Sequence, residues 1–249
     1  MNKTIFYNIL FGLLIFNLLF SQEIAVITKN NGDVQYKLNS SDTYNKKIYP
    51  GLELYNNDLL ITGNDGFVMF AYLDDGTLVK IHKDSQVYIN GDLKNNAINK
   101  KVILDEGFIK FDVKKQQNDR FTVVTPTSVA SVKGTVFYID TNQDGDIFYG
   151  IDGIVDILNK ESNQISELIK NKKVTSTPDG TISTQEITQK DLLYIIQIQE
   201  ESGLEIDEIE EDDSGSLDET DDTITNEIVI ILTNQSGEEK KLIIKFNEE

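Results

Sequence analysis

The residues most suggestive of chemistry lie in Asp140-Thr141-Asn142-Gln143-Asp144-Gly145-Asp146. Oxygen-bearing side chains alternate there around a glycine at the sixth position, which is the first half of a calcium-binding loop. The twelfth position, where such a loop needs a bidentate glutamate, is Ile151, and the flanking residues read as strand, not helix. An acidic hairpin tip is the plainer reading, with weak calcium binding near Asp140–Asp146 left open. His82 is the only histidine, and Lys80 and Lys83 are its charged neighbours, so the sequence offers no histidine dyad or histidine metal cluster. It is expected to face outward from a strand. Tyr49, Tyr55, Tyr72, Tyr88, Tyr138 and Tyr149 could line a glycan-binding face, since aromatic rings stack on sugars, although cross-strand packing is the commoner use of tyrosine. No nucleophile elbow or spaced pair of acids stands out. No catalytic, cofactor-binding or metal-binding residue is therefore assigned, and no cofactor is called for.

Composition narrows the classes further. There are no cysteines, so disulfides, thiol catalysis, thiolate metal sites and a lipid-bearing cysteine are all excluded. The formal net charge is −19, and thirteen acids between Glu200 and Asp222 account for most of it; the remainder would carry about −6, ordinary for a soluble protein. Nucleic-acid binding is excluded, because it depends on cationic side chains displacing counterions from phosphates. Arg120 is the only arginine, which leaves little capacity for bidentate capture of phosphate or carboxylate.

The elements that must position these residues read as β-structure. Val34–Leu38, Val68–Tyr72 and Phe108–Val113 alternate apolar and polar residues, and Asn-Gly, Asp-Gly and Glu-Gly pairs punctuate the chain between such runs. The expected fold class is all-β: a twisted, solenoid-like or sandwich-like β domain over 23–185, one short helix at 186–201, an acidic linker at 202–223 and a C-terminal β-hairpin at 224–249. Thr188 is the expected helix N-cap, with Asp191 on the first turn. Ile228–Leu232 is a continuous apolar run, so both faces of the hairpin should be covered, by this chain or by a partner. Residues 1–22, with Lys3 before the apolar run Ile5–Phe20, have the shape of a signal peptide, with cleavage expected after Ser21 or Gln22 and an uncleaved anchor as the alternative.

The order of the strand motifs resembles the FecR family domain, the domain named after the ferric-citrate uptake regulator. Asp58-Leu59-Leu60-Ile61-Thr62 is similar to the family's D-x-hydrophobic-x-T strand, and Asp75-Gly76-Thr77 to its D-G-s/t hairpin. Gly107-Phe108-Ile109-Lys110-Phe111 follows its x-G-x-v-x-f element. The most specific stretch, Phe121-Thr122-Val123-Val124-Thr125-Pro126 with Ala130-Ser131-Val132-Lys133-Gly134-Thr135-Val136-Phe137, resembles f-x-V-x-T-P … a-x-V-x-G-T-x-F. Thr125, Pro126, Gly134, Thr135 and Phe137 are expected to hold the fold, as strand-ending, turn and core positions do.

The sequence departs from the regulators of that family in two ways. The signal-like run begins almost at Met1, where those regulators carry a cytoplasmic sigma-factor-controlling segment, and Ile169-Lys170-Asn171-Lys172 stands where the family closes with p-G-q. The resemblance thus implies a non-catalytic extracytoplasmic module of the bacterial cell envelope for binding, sensing or assembly. Its partner would be an envelope protein or glycan, with membrane contact only if the N-terminal segment stays uncleaved. A glycan- or peptidoglycan-associated structural protein is the alternative, and a hydrolase ranks last.

Overall fold

The computed structural model describes residues 22–94, 97–116, 121–202, 226–233 and 239–246. The expected signal segment, up to residue 21, and the expected acidic linker, from residue 203, lie outside the described residues. The chain divides into two units, Met1–Asp207 and Glu208–Glu249.

The first unit is built from β1 (Glu23–Asn31), β2 (Val34–Lys37), β3 (Glu53–Tyr55), β4 (Asp58–Thr62), β5 (Phe67–Tyr72), β6 (Leu78–Ile81), β7 (Ser85–Lys94) and β8 (Ala97–Val113), then β9 (Phe121–Val124), β10 (Ser128–Val132), β11 (Thr135–Asn142), β12 (Gly145–Asp152), β13 (Val155–Asn159), β14 (Ile165–Leu168), β15 (Lys172–Ser176) and β16 (Ile182–Glu186), followed by the helix α1 (Gln189–Glu201). Strand pairing runs through all sixteen strands. It does so because β8 is long enough to serve two layers. Its first half pairs with β7 and, in parallel, with β9, in a second sheet ordered β2-β4-β7-β8-β9-β10-β13-β14. Its second half pairs with β6 and β11, in a first sheet ordered β3-β1-β5-β6-β8-β11-β12-β15-β16. The all-β reading holds, and of its two forms the architecture is the sandwich-like one: an open, mixed sheet folded across itself at β8.

The side-chain pattern along β8 shows how the fold-over is made. Ile98, Val102 and Leu104 are buried at even positions, whereas Ile109, Phe111 and Val113 are buried at odd ones. The phase changes at Asp105, the extra residue where the register against β7 shifts. Gly107 follows with φ +121°, a conformation that L side chains rarely adopt. An added Cβ there would also lie 2.0 Å from Ser85 Oγ and 2.6 Å from Ser85 Cα. Between the layers Phe111 stacks on Phe137 at 5.0 Å, and Phe121 of the second sheet meets Phe111 and Tyr72 of the first edge-on at 5.8 and 6.0 Å. Such aromatic pairs add about 0.5–1.5 kcal/mol each beyond the area they bury.

The helix covers the outer face of the first sheet. Thr188 caps it reciprocally: its hydroxyl accepts the Asp191 N–H, and its own N–H donates to the Asp191 carboxylate at 2.8 Å. Ile195 and Ile198 then pack with Phe108, Tyr138 and Tyr149.

The second unit holds an antiparallel pair, β17 (Asn226–Thr233) and β18 (Glu239–Phe246). Its register sets Ile228 opposite Ile244, Val229 opposite Ile243 and Ile230 opposite Leu242. Two strands alone are marginal in water.

Substituting Gly107 by alanine should force the backbone at the fold-over and cost more than about 2 kcal/mol. Urea unfolding of the two proteins would measure the difference. A variant within about 0.5 kcal/mol of the parent would show that the positive φ at this position is not a constraint.

Candidate functional site

The motif residues are bonded to one another. Asp58 opens β4 and accepts the backbone N–H groups of Tyr55 and Asn39 at 2.9 and 3.0 Å. Burial pushes its carboxyl above the usual range, and those two bonds only partly offset the push. At the other end of β4, the Thr62 hydroxyl donates to the His82 carbonyl at 2.6 Å and accepts the Ser85 N–H at 2.9 Å, fixing the turn between β6 and β7. The Asp75-Gly76-Thr77 hairpin closes around a buried cation. The Lys100 ammonium, 2% exposed, donates to Asp74 at 2.7 Å and Asp75 at 2.9 Å and lies 5.6 Å over the Tyr72 ring. Burial alone would raise the Asp75 carboxyl, but hydrogen bonds from Lys100, the Thr77 N–H and Gln116 hold it below the usual range.

A second buried carboxylate organises the Thr125-Pro126 region. Asp146 Oδ2 accepts from the Thr125 hydroxyl at 2.5 Å and the Ser128 hydroxyl at 2.6 Å, and its Oδ1 accepts from Thr141 at 2.8 Å. Asp140 and Asp146 leave opposite faces of the β11–β12 pair, Asp146 toward the three hydroxyls and Asp140 toward the helix, where it accepts from Tyr194 at 2.9 Å. The first and seventh oxygens of the loop pattern therefore do not converge. Among the described residues, no group of three or more histidines, cysteines, aspartates or glutamates is placed to hold a metal ion.

His82 lies beyond the end of β6 and, contrary to expectation, is fully buried. It points away from the inter-sheet core, but Phe67 and Phe108 pack against its ring at 5.6 and 5.5 Å, and Ser202 bonds its Nδ1 at 2.7 Å. The Ser202 hydroxyl gives its only hydrogen to the Ile198 carbonyl at 2.8 Å, so it accepts from Nδ1–H. The helix end thus covers the side chain that the strand pattern aims outward.

The tyrosines do not form one face. Tyr72 is in the inter-sheet core, Tyr138 and Tyr149 are under α1, Tyr49 is 47% exposed, and Tyr55 and Tyr88 are partly exposed elsewhere. The structure instead brings Tyr138 and Tyr149 together with Phe108 and Tyr194, which strand alternation does not single out. The one available signal was the apolar pair Phe108-Ile109, which breaks the period of two. Burial and the nearby Asp140 carboxylate raise the Tyr149 and Tyr194 phenols, so both remain neutral hydrogen-bond donors near pH 7. Gln199 donates to the Tyr138 hydroxyl at 3.1 Å, and Lys173 pairs with Asp191 at 2.8 Å.

Beside this helix-capped face two shallow grooves adjoin through Glu106, Asn142 and Gln143. One, of about 470 Å³, has Phe108, Asp140, Asp144 and Tyr194 in its wall. The other, of about 400 Å³, is bounded by Asp105, Pro126, Lys160 and Pro178. Carboxylates and side-chain amides can accept from and position donor groups of a ligand or partner, and the aromatic rings give it apolar surface to pack on. His82, the one imidazole in the chain, is fully buried and lines neither groove.

Two stability predictions follow from the ion pairs. Lys100→Met would strand Asp74 and Asp75 against the sheet and should cost about 3–5 kcal/mol in thermal or urea unfolding. Asp191, raised by burial but held below the usual range by Lys173 and Thr188, behaves like Asp75. A depressed native pKa contributes stability that is full above the unfolded value of about 3.9 and is lost as pH falls through the native value. The contributions of Asp75 and Asp191 should therefore be lost as pH falls below about 4, while protonation of the raised Asp58 acts in the opposite sense, and Asp75→Asn and Asp191→Asn should each flatten the acid-side loss. An unchanged pH profile in both variants would contradict the assignment.

Residues 58–149 match the model of the family described as FecR protein. No curated protein matches the chain. Two solved structures of a "putative anti-sigma factor" from Parabacteroides distasonis ATCC 8503 align with it at 17% and 16% identity, with TM-scores of 0.47 and 0.45. Each alignment covers 56% of this chain and 64% of the other. The match runs from Asp58 at the start of β4 to Tyr149 within β12.

Proposed function

We propose that the chain is a non-catalytic binding or sensing module of the bacterial cell envelope that works outside the cytoplasm through a protein partner. The observation that carries this reading is the FecR match over residues 58–149, within which Asp58, Thr62, Thr77 and Thr125 are bonded to neighbouring elements of the fold. What remains accessible is groove and sheet surface, which suits docking. The burial of His82 supports a non-catalytic role, because a general base must reach its substrate. Lys3 followed by Ile5–Phe20, in a chain without cysteines, supports export. Among the described residues no helix is long and apolar enough to cross a membrane.

The test is recovery of the tagged chain from a bacterial envelope, with its intact mass measured and its bound material identified. The expected result is a mature chain beginning at Gln22 or Glu23 with a protein partner retained. A full-length chain in the cytosol would overturn the location, and release of fragments from peptidoglycan or polysaccharide by the purified chain would overturn the non-catalytic reading.

A further inference from the structure

The sandwich treats its two outer faces differently. On the outer face of the first sheet, Phe108, Tyr138 and Tyr149 lie beneath α1. The outer face of the second sheet carries an apolar row of its own, written by strand register: Leu59 lies opposite Tyr88, Tyr88 opposite Ile103, Ile103 opposite Val124, Val124 opposite Val129, Val129 opposite Leu158, and Leu158 opposite Ile165. The row crosses seven strands, β4 to β14, and Lys37 of β2 extends it to an eighth. These positions are out of phase with the core-facing Leu60, Val87, Val102, Val123, Ala130 and Ile157. Tyr88, Ile103, Val124, Val129 and Leu158 are partly exposed and Ile165 is 68% exposed, whereas Leu59, at 4%, is already buried, so the accessible band runs from Tyr88 to Ile165. A continuous apolar band of this length is unusual on a free surface.

Charge chooses among occupants. The row and the two rows flanking it hold Lys37, Lys101 and Lys160 against Asp105, Asp156 and Glu167, a balanced set on a chain whose net charge is −19. A strongly acidic or basic partner would favour one sign. The distribution is also self-complementary. On β8, Lys101 and Asp105 lie on either side of Ile103; next to β13, Asp156 and Lys160 lie on either side of Leu158. A two-fold axis running along the row would set each apolar residue against its own copy. The same rotation exchanges the two flanks, bringing Lys101 over Asp105 of the second copy and Asp156 over its Lys160. Asp105 already accepts from Gln86 at 2.8 Å, and Lys160 already donates to the Thr125 carbonyl; each has capacity for a further partner.

The area is sufficient. The six strands from β7 to β14 at about 4.8 Å spacing span about 24 Å, and three rows at about 6.8 Å give about 20 Å along the strands. Burying that patch on two copies removes about 1,000 Å² in total, the least that a specific interface should bury. Aligned sheets pack face to face with their strands within about 30° of each other, which keeps the central β8 contacts in register even if the ends splay.

We propose that the outer face of the second sheet is a homodimer interface, two copies packing across the Tyr88–Ile165 row with Lys101 and Asp105 paired reciprocally. The absence of cysteine makes a direct test possible. In the full chain expressed in intact cells, Ile103→Cys places a single thiol on the proposed axis, and Ser183→Cys on exposed β16 serves as the control. Oxidative cross-linking should yield a disulfide-linked species of twice the chain mass for Ile103→Cys and at least tenfold less for Ser183→Cys. In the Ile103→Cys background, Lys101→Asp and Asp105→Lys should each lower the yield several-fold, and the two together should restore it. That rescue separates pairing from misfolding, since a folding defect would not be repaired by a second charge reversal. The proposal is overturned if Ile103→Cys gives no dimer, if Ser183→Cys gives as much, if the thiol links to a different protein or if the double reversal fails to rescue. None of these outcomes depends on whether the envelope-sensing role is correct.

Discussion

Everything in the first unit depends on one strand serving two sheets. The β8 strand can do so only because its inward face switches from even to odd positions at Asp105, and because Gly107 then takes a backbone angle closed to other residues and passes against Ser85 without a side chain. Remove that switch and Phe111 would turn outward, taking its contacts with Phe137 and Phe121 with it. The buried polar clusters lie close to this strand. Lys100 sits on it and ties the β5–β6 turn down, and Ser85, bonded to Phe108 N–H, is the residue Gly107 approaches.

Much of the fold was legible in the residues. Alternation in Val68–Tyr72 and in Phe108–Val113, the glycine turns, and the Thr188/Asp191 cap each rest on local chemistry, and the structure contains them. The choice between solenoid and sandwich was not legible, because it depends on which distant strands pair with β8, and pairing partners leave no local trace. Nor was the environment of His82. Its strand position shows which way it points but not that Ser202, 120 residues later, closes over it. The calcium-like spacing in Asp140–Asp146 is broken by pairing across the turn: Asp146 lies opposite Thr141, and so on the face away from Asp140.

The candidate site was the least legible part. Tyr194 and Asp140 lie 54 residues apart, and only docking of the helix brings them into one hydrogen bond. The family letters, by contrast, are explained by hydrogen bonds within the domain. Thr62, Thr77 and Thr125 each hold a turn or a neighbouring strand through their hydroxyls, which is why a threonine, not a valine of the same shape, stands at those positions.

The double duty of β8 also dictates an order of assembly. As the chain emerges from its N-terminus, β1 to β7 can pair among themselves, yet neither layer has its central strand until residues 97–113 arrive. Even then β8 has an open edge in each layer until β9 and β11 follow. Contacts of such long sequence separation must wait for chain closure before they return any stability, so this topology belongs among the slower folders. A nascent chain of this design cannot complete either layer until more than half its length is available.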